Sequence, residues 1–196
     1  EFISHAYHRS GRHEEAMKST WTAFTEQVSF EMYQTLAEHA KQAKAWPEWR
    51  EKALDHIREQ ISASKKKHTG RRGWNLSSLN DHSILVHIFL WEKDIDTAWN
   101  EAREGGCSEG LWLELAGLRE KSDPNNSVKI YREHIRHLLK HADKRNYEST
   151  VKYLGKIKRL LSAMGKVQDF PAIVADIRSE HRRKRNLMAL LDKKKW

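Results

Sequence analysis

The stretch SDPNNSVKIYREHIRHLLKHADKR, residues 122–145, carries the local signals of an amphipathic α-helix. Asp123 supplies a side-chain acceptor for an N-cap, and Pro124 fits the first turn, where its missing N–H costs no hydrogen bond. Apolar side chains then recur at three- and four-residue spacing, which puts them on one face of the helix. They are Tyr131, Ile135, Leu138, Leu139 and Ala142. The pattern predicts a helix over 125–142.

The rest of the chain repeats this pattern. It lacks the long alternating runs of Val, Ile or Thr that indicate strands, and its three prolines and nine glycines punctuate helical periodicity. We therefore predict an all-α protein, with N-caps at Ser29, Asp81, Ser108 and Asn146. The predicted helices cover 2–9, 12–25, 29–44, 47–63, 82–92, 95–104, 109–121, 125–142, 147–164 and 168–192.

An internal duplication organises these helices. DHIREQI, residues 55–61, matches EHIRHLL, residues 133–139, and GRHEEAMKSTW, residues 11–21, resembles KDIDTAWNEAR, residues 93–103, so that Ala16 aligns with Ala98. Both matches have nearly the same offset along the chain. We predict a single helical-repeat domain over 1–196, in which hairpins over 1–64 and 81–142 form a duplicated pair and 146–192 forms the final hairpin. Residues 65–80, with clustered charge and two glycines, form a predicted mobile linker.

Composition limits the class of protein. Apolar residues make up 38% of the chain and charged residues 32%, with a mean hydropathy of -0.85, as expected where thin layers of helices keep much surface wet. A single cysteine, Cys107, excludes an internal disulfide framework and favours a reducing, cytoplasmic setting. No stretch approaches the roughly 20 apolar residues of a membrane span, so no membrane partner is expected. The chain opens without Met, which we interpret as a piece of a longer protein.

The formal net charge of +9 is concentrated in two segments. SKKKHTGRRGW, residues 64–74, carries five Lys/Arg and no acid, and residues 177–196 carry eight Lys/Arg against two acids. The remainder is close to neutral, so these segments are the candidate surfaces for an acidic protein or for nucleic acid. The candidate binding residues are Lys65, Lys66, Lys67, Arg71, Arg72, Arg178, Arg182, Arg183, Lys184 and Arg185.

The last predicted helix has two expected roles. Its first half should pack on the preceding helix through Phe170, Ile173, Val174 and Ile177, which recur at helical spacing. Residues 181–185, HRRKR, place cations around most of a full turn, so this basic collar should be exposed. The alternative is a solvated helix end whose cations only suit the negative pole of the helix dipole.

Histidines are the first candidates for chemistry. His134, His137 and His141 share a narrow helical face beside the apolar stripe, but cations flank them and a structural zinc needs four ligands. We interpret this face as a solvated flank, with a weak metal site or a pH-sensitive contact as the alternatives. His87, inside the apolar run ILVHIFLW, is interpreted as a core histidine bonded to a carbonyl of an adjacent helix, rather than a catalytic base.

Other reactive groups have structural interpretations. Cys107 follows Gly105-Gly106 near a helix start, which can lower a thiol pKa, yet no partner pattern accompanies it and we interpret it as a small packing residue. Carboxylate pairs such as Asp94 with Asp96 lie in first helical turns, where they offset the helix dipole. The chain has no glycine-rich phosphate loop, nucleophile elbow or HExxH motif. We therefore predict no enzyme activity and no cofactor.

GRHEEA, residues 11–16, has the short turn and small inward alanine of tetratricopeptide hairpins. The order HRSGRHEEAM, WPEWREKAL, IFLWEKDIDTAW, LWLELAGLRE and HRRKRNLMALL resembles the C-terminal helical region of bacterial SWIM zinc-finger proteins, over most of the chain from Tyr7 onward. The resemblance implies a short right-handed solenoid of antiparallel hairpins that mediates protein–protein interaction within a larger SWIM protein. The alternative is an auxiliary nucleic-acid-binding domain. The finger itself needs a C-x-C followed by C-x-H, which this chain lacks.

Overall fold

The computed structural model of the chain describes residue 7 and residues 9–67, 81–141 and 143–196. All regular secondary structure in these ranges is helical, which confirms the predicted all-α class. Ten α-helices and one 3-10 turn, Val167–Asp169, occur there. The helices are α1 His13–Glu26, α2 Phe30–Gln42, α3 Trp46–Lys67, α4 Ser83–Trp91, α5 Ile95–Gly105, α6 Glu109–Leu118, α7 Pro124–Lys140, α8 Lys144–Ala163, α9 Phe170–Glu180 and α10 Arg185–Lys193.

Local capping chemistry sets several of these boundaries. The Ser29 side chain accepts from the Met32 N–H at 3.2 Å, and Asp123 accepts from the Asn126 N–H at 3.3 Å, as predicted for both N-caps. The predicted cap at Asn146 is wrong, because α8 begins at Lys144 and the Asp143 carboxylate accepts from the Arg145 N–H at 2.6 Å. Most of the predicted helix 2–9 and of the predicted linker 65–80 lies outside the described residues.

The predicted single helix over 168–192 is wrong, because the chain forms two helices there. α9 ends at Glu180, and residues 181–184 make a turn before α10 begins at Arg185. In that turn, Nζ of Lys184 donates to the backbone carbonyl of Leu139, in the last turn of α7. The last four carbonyls of a helix have no intrahelical partner and lie at its negative end, so a lysine ammonium stabilises them. The contact between Lys184 and Leu139 thus lies where the helix is broken, within the basic run of residues 181–185.

The chain divides into two compact units, Glu1–Leu111 and Trp112–Trp196. In the first unit, helices that are neighbours in sequence pack on each other: α1 on α2, α2 on α3, and α4 on α5, while α2 also contacts α4. Ala16 and Ala98, which the duplication aligns, are both fully buried, as the inward alanine of a hairpin requires. The predicted single repeat domain and its right-handed solenoid stay predictions.

In the second unit, α8 is the central helix. It packs on α7, α9, α10 and the 3-10 turn. Phe170, Ile173, Val174 and Ile177 are all buried in this core, as their helical spacing predicted. α10 adds Leu187 and Leu191, both fully buried. The amphipathic patterns of α8, α9 and α10 therefore converge on one apolar core.

Each unit also buries a tyrosine whose hydroxyl is held by a glutamate. In the first unit, the Tyr33 hydroxyl on α2 donates to Oε1 of Glu92 at 2.8 Å. Arg50 on α3 donates to both oxygens of the same carboxylate, from Nε at 2.9 Å and from Nη2 at 2.6 Å. Burial raises the pKa of Tyr33, and the bond to Glu92 raises it further, so its hydroxyl stays a donor. Three helical segments are tied together at this carboxylate.

The second unit repeats this arrangement with different residues. The Tyr131 hydroxyl on α7 donates to Oε1 of Glu120 at 2.7 Å, while α8 supplies Lys156 at 3.1 Å and Arg159 at 2.7 Å to the same carboxylate. Burial raises the pKa of Glu120, but the hydrogen bonds from Tyr131 and Lys156 and the two positive charges outweigh it, and the net pKa is lowered. The ionised carboxylate therefore ties the segment after α6 to α7 and α8.

Three helices end on a lysine in the left-handed conformation that glycine usually occupies: Lys44 at φ 57°, Lys93 at φ 65° and Lys195 at φ 55°. After Lys93, the Asp94 N–H donates to the Phe89 carbonyl at 2.9 Å, which closes a Schellman motif at the end of α4. A side chain with a β-carbon pays about 1–2 kcal/mol for this conformation. These helix ends therefore carry backbone strain.

Lys93→Gly should raise the free energy of unfolding by up to about 1 kcal/mol. Glycine removes the left-handed strain of about 1–2 kcal/mol and loses roughly 0.5–1 kcal/mol through its more flexible unfolded state. Lys93→Ala is the matched control, since alanine keeps the β-carbon and should bring no gain. Urea denaturation followed by circular dichroism measures both variants. Equal stability of the two would show that Lys93 is not strained.

Candidate binding surface of the second unit

The positive charge of the protein belongs to the second unit. Residues 112–196 contain 21 Lys/Arg against 10 Asp/Glu, a net charge of +11, while residues 1–111 contain 15 against 17, a net charge of -2. The remainder outside the two basic segments is nearly neutral in sum, as predicted, but it is uneven: residues 112–176 carry 13 Lys/Arg against 8 Asp/Glu, a net of +5. α8 carries six Lys/Arg against a single acid, Glu148, and the acids of the first unit had cancelled this excess in the sum over the chain.

The structure places five of the ten predicted binding residues in the second unit. We define the basic turn as residues 181–185, that is, the turn after α9 together with the first residue of α10. Arg182, Arg183 and Arg185 are exposed there, whereas Lys184 is half-buried. Because the helix is broken, the predicted collar around a helical turn is wrong: these cations follow the end of α9 and lead into the first residue of α10. The side chains of Lys65, Lys66, Lys67, Arg71 and Arg72 lie outside the described residues.

Two predicted binding residues have structural partners instead. Lys184 donates to the Leu139 carbonyl and lies 5.9 Å from the ring centroid of Tyr147. Arg178 pairs with the Asp192 carboxylate at 2.6 Å and donates to the backbone carbonyl of Trp196 from Nε at 3.1 Å and also from Nη2. Among the predicted binding residues whose side chains the structure describes, Arg182, Arg183 and Arg185 are therefore those whose exposed charge can meet a partner.

A groove lies beside the C-terminal end of the described chain, and we name it the C-terminal groove. Its volume is about 340 Å³. Three cations line it, Lys158 on α8, Arg178 on α9 and Lys195 after α10. Its apolar lining comes from the 3-10 turn, α9 and the final residue: Val167, Phe170, Pro171, Val174, Ala175 and Trp196. No acidic side chain is among these lining residues.

Sequence reasoning missed the groove as a site. Helical spacing predicted that Phe170 and Val174 belong to the core, and both are buried, but no pattern in the sequence indicated a binding role for Trp196. Lys158 was not singled out, although its Nζ lies 5.5 Å from the ring centroid of Phe170 and 5.7 Å from that of Trp196. Lys158 and Trp196 are far apart in the sequence, and no local pattern links them, so only the tertiary structure brings these residues together.

The structure removes His141 from the helical face on which His134 and His137 lie three residues apart. His134 packs edge-on against the Tyr153 ring at 4.6 Å, and His137 is exposed with Nε2 3.3 Å from the Glu133 carboxylate. α7 ends at Lys140, and His141 already has extended backbone angles, φ -112° and ψ 133°. Within the described ranges, no three His, Cys, Asp or Glu side chains come together as a metal site. The exposed His137 fits the predicted solvated flank.

The interpretation of His87 as a core histidine is wrong. His87 is exposed, and its ring stacks on Phe30 with centroids 3.8 Å apart and an angle of 18° between the planes. The buried histidine of α4 is His82, at its N-cap, whose Nδ1 donates to Oε2 of Glu101 at 2.7 Å. Its ring lies against Gly105, where a β-carbon would come 1.8 Å from Cδ2 of the imidazole. A glycine is required at position 105 for this packing.

Cys107 has no activated thiol. The residue is half-buried in the loop before α6. Burial, with a smaller contribution from the Asp81 carboxylate, raises the pKa of the Cys107 thiol to about 12. At neutral pH the thiol is protonated, which agrees with its interpretation as a packing residue and opposes a nucleophilic role.

Comparison with known protein families, with curated proteins and with solved structures finds no match to this chain. Among the helices in the described part of the chain, none combines the length and apolar composition needed to cross a bilayer.

Gly105→Ala should lower the free energy of unfolding by about 1–3 kcal/mol, because the added methyl group overpacks the His82 ring, which Glu101 holds in place. Gly110→Ala is the matched control on α6, where a β-carbon meets nothing within 4 Å. That substitution should stabilise by about 0.5–1 kcal/mol through helix propensity. Chemical denaturation of both variants measures the difference, and equal effects would contradict the packing of His82 on Gly105.

Cys107 should react with iodoacetamide at pH 8 at least about tenfold more slowly in the native protein than in denaturing urea, because its raised pKa leaves little thiolate. The control is Ser108→Cys in a Cys107→Ser background, which puts a thiol on the neighbouring exposed position. This control should react at nearly the same rate in both states. Rapid native labelling of Cys107 would contradict a buried, protonated thiol.

Proposed function

We propose that this chain is a non-catalytic helical interaction module whose second unit binds an acidic protein surface, in the cytoplasm and as a region of a larger SWIM zinc-finger protein. The observation that carries the proposal is the separation of charge, +11 in residues 112–196 against -2 in residues 1–111. A potential of one sign over a whole unit attracts partners of the opposite sign and raises their association rate. The SWIM assignment rests on the resemblance of the helical repeats.

The basic turn is the proposed centre of this surface. Arg182, Arg183 and Arg185 are exposed, and they lie at the N-terminal end of α10, whose N-cap Lys184 makes no side-chain hydrogen bond to the helix. The N-terminal end of a helix is positive, so cations there repel it instead of stabilising it. An anionic partner group would relieve this repulsion. Arginine suits such a role because its planar guanidinium pairs with carboxylates through two parallel hydrogen bonds.

The alternative function is nucleic-acid binding, and the same turn favours it, because phosphates also bind at helix N-termini beside arginine. Two exposed aliphatic side chains of the second unit favour a protein partner. Val167 is 47% exposed, and Leu118 is 50% exposed. Aliphatic side chains gain from contact with an apolar partner surface and gain little from a phosphate backbone.

The triple variant Arg182→Gln, Arg183→Gln, Arg185→Gln tests this proposal against its alternative. The matched control is Arg9→Gln, Lys18→Gln, Arg103→Gln, which removes three exposed cations from the first unit. Each protein is immobilised and used to capture partners from a nuclease-treated extract at low salt. We expect the wild type and the control to retain acidic proteins and the basic-turn variant to lose at least about tenfold, with unchanged helix content by circular dichroism.

Other outcomes overturn the proposal. Equal loss in both triple variants would mean that only net charge matters. Material that is captured from an untreated extract but not from the nuclease-treated one would support nucleic acid. The slope of log affinity for DNA against log salt should then fall by roughly 0.9 for each lost phosphate contact.

A further inference from the structure

The C-terminal groove has a preformed apolar floor. Phe170 and Val174, one turn apart on α9, are 4% and 3% exposed and form its base. Trp196 forms one wall, with its ring perpendicular to that of Phe170 at a centroid distance of 5.3 Å. The rim consists of Val167, Pro171 and Ala175, which are all exposed. The volume of about 340 Å³ falls within the range of roughly 300–1,000 Å³ typical of binding pockets.

The wall at Trp196 is held from three sides. Its backbone N–H donates to the Leu191 carbonyl at 3.1 Å, and its carbonyl accepts from Arg178. Its ring lies against α8 at Gly155, where an added β-carbon would be 3.8 Å from Cη2. Arg178 is thus a positioning residue for the wall, and Asp192 neutralises its charge. A wall fixed in this way costs little ordering entropy when a partner binds.

The charge at the groove is positive and partly uncompensated. Lys158 lies over the Phe170 and Trp196 rings. Lys195, which directly precedes Trp196 in the sequence, is exposed and also lines the groove. In the described part of the chain, neither ammonium group forms an ion pair with a carboxylate. The groove therefore combines an apolar floor with two cations at its edge. Its complement is an apolar side chain with carboxylates nearby.

We propose that the C-terminal groove binds an acidic amphipathic segment of a partner protein, with an aliphatic or aromatic anchor side chain on Phe170 and Val174 and carboxylates on Lys158 and Lys195. This inference rests on the proposed function. It adds the chemistry of the partner segment and a second contact site in addition to the basic turn. A protein segment fits better than an enclosed small molecule, because the rim is exposed. Pro171 and Ala175 are small, so a partner backbone can approach α9 closely, as helices do in apolar grooves.

The probe is a fluorescein-labelled 14-residue peptide with Leu at positions i, i+3, i+4 and i+7 and Glu elsewhere, titrated with the full 196-residue chain and followed by fluorescence anisotropy. Two control peptides replace every Leu by Ser or every Glu by Gln. Both contributions are needed in the proposed site, so each control peptide should bind at least about tenfold more weakly than the probe.

Ala175→Glu is the decisive variant, because it puts a carboxylate into the groove against the acidic peptide. It should weaken binding of the probe at least about tenfold. Ala172→Glu is its matched control, since it adds the same charge to an exposed position of α9 that does not line the groove, and it should change affinity less than about threefold. Lys158→Gln against Lys152→Gln provides a second matched pair on α8 that leaves the apolar floor intact.

Equal affinities of Ala175→Glu and Ala172→Glu for the probe would overturn the inference, as would tight binding of the Ser peptide or no binding by the wild type. Displacement of the probe by a 14-nucleotide single-stranded DNA that itself loses affinity in Ala175→Glu would mean that the groove binds nucleic acid, which also overturns it. Loss of protein capture in the basic-turn triple variant, with equal peptide binding in the two alanine variants, would leave the proposed function standing without the groove.

Discussion

A buried tyrosine hydroxyl in each unit must find an acceptor, and this requirement organises the packing of the helices. Tyr33 and Tyr131 are both fully buried, and a buried hydroxyl without a partner costs about 1–3 kcal/mol. Each hydroxyl bonds to a glutamate that cations from another helix neutralise, Arg50 for Glu92, and Lys156 with Arg159 for Glu120. Removal of either glutamate would leave a buried hydroxyl and at least one cation without this acceptor, so the networks favour the register of the helices that brings these groups together.

In the second unit, this requirement also orients the candidate surface. α8 supplies Lys156 and Arg159 to Glu120, while Lys158, nearly opposite Lys156 around the helix, lies at the C-terminal groove. The rotation of α8 that satisfies the buried network is thus the rotation that presents Lys158 beside Phe170 and Trp196. Trp196 in turn packs on Gly155 of the same helix. One helix connects the polar network that stabilises the unit with the groove that we propose for binding.

The break between α9 and α10 changes what the basic turn can do. In a continuous helix, the cations of residues 181–185 would form a solvated collar. In the structure, Lys184 stabilises the negative end of α7, while Arg182, Arg183 and Arg185 remain exposed at the positive end of α10. One cation of this run therefore makes a structural contact, while the three arginines create a positive potential at the surface. This positive potential is the reason for proposing an acidic partner.

The all-α class, most helix positions, the inward alanines and the buried face of α9 were determined by the sequence alone, because periodicity, prolines and capping residues act locally, within a few residues of one another. The break at 181–184, the exposed position of His87 and the buried pair of His82 with Glu101 depend on contacts between distant segments, so local patterns predicted them wrongly or not at all. The candidate surface was only partly predictable: a run of cations is visible in the sequence, but its division between structural and exposed residues is not. The C-terminal groove was decided entirely by tertiary structure, because Lys158, Phe170 and Trp196 meet only when three separate segments pack around one core.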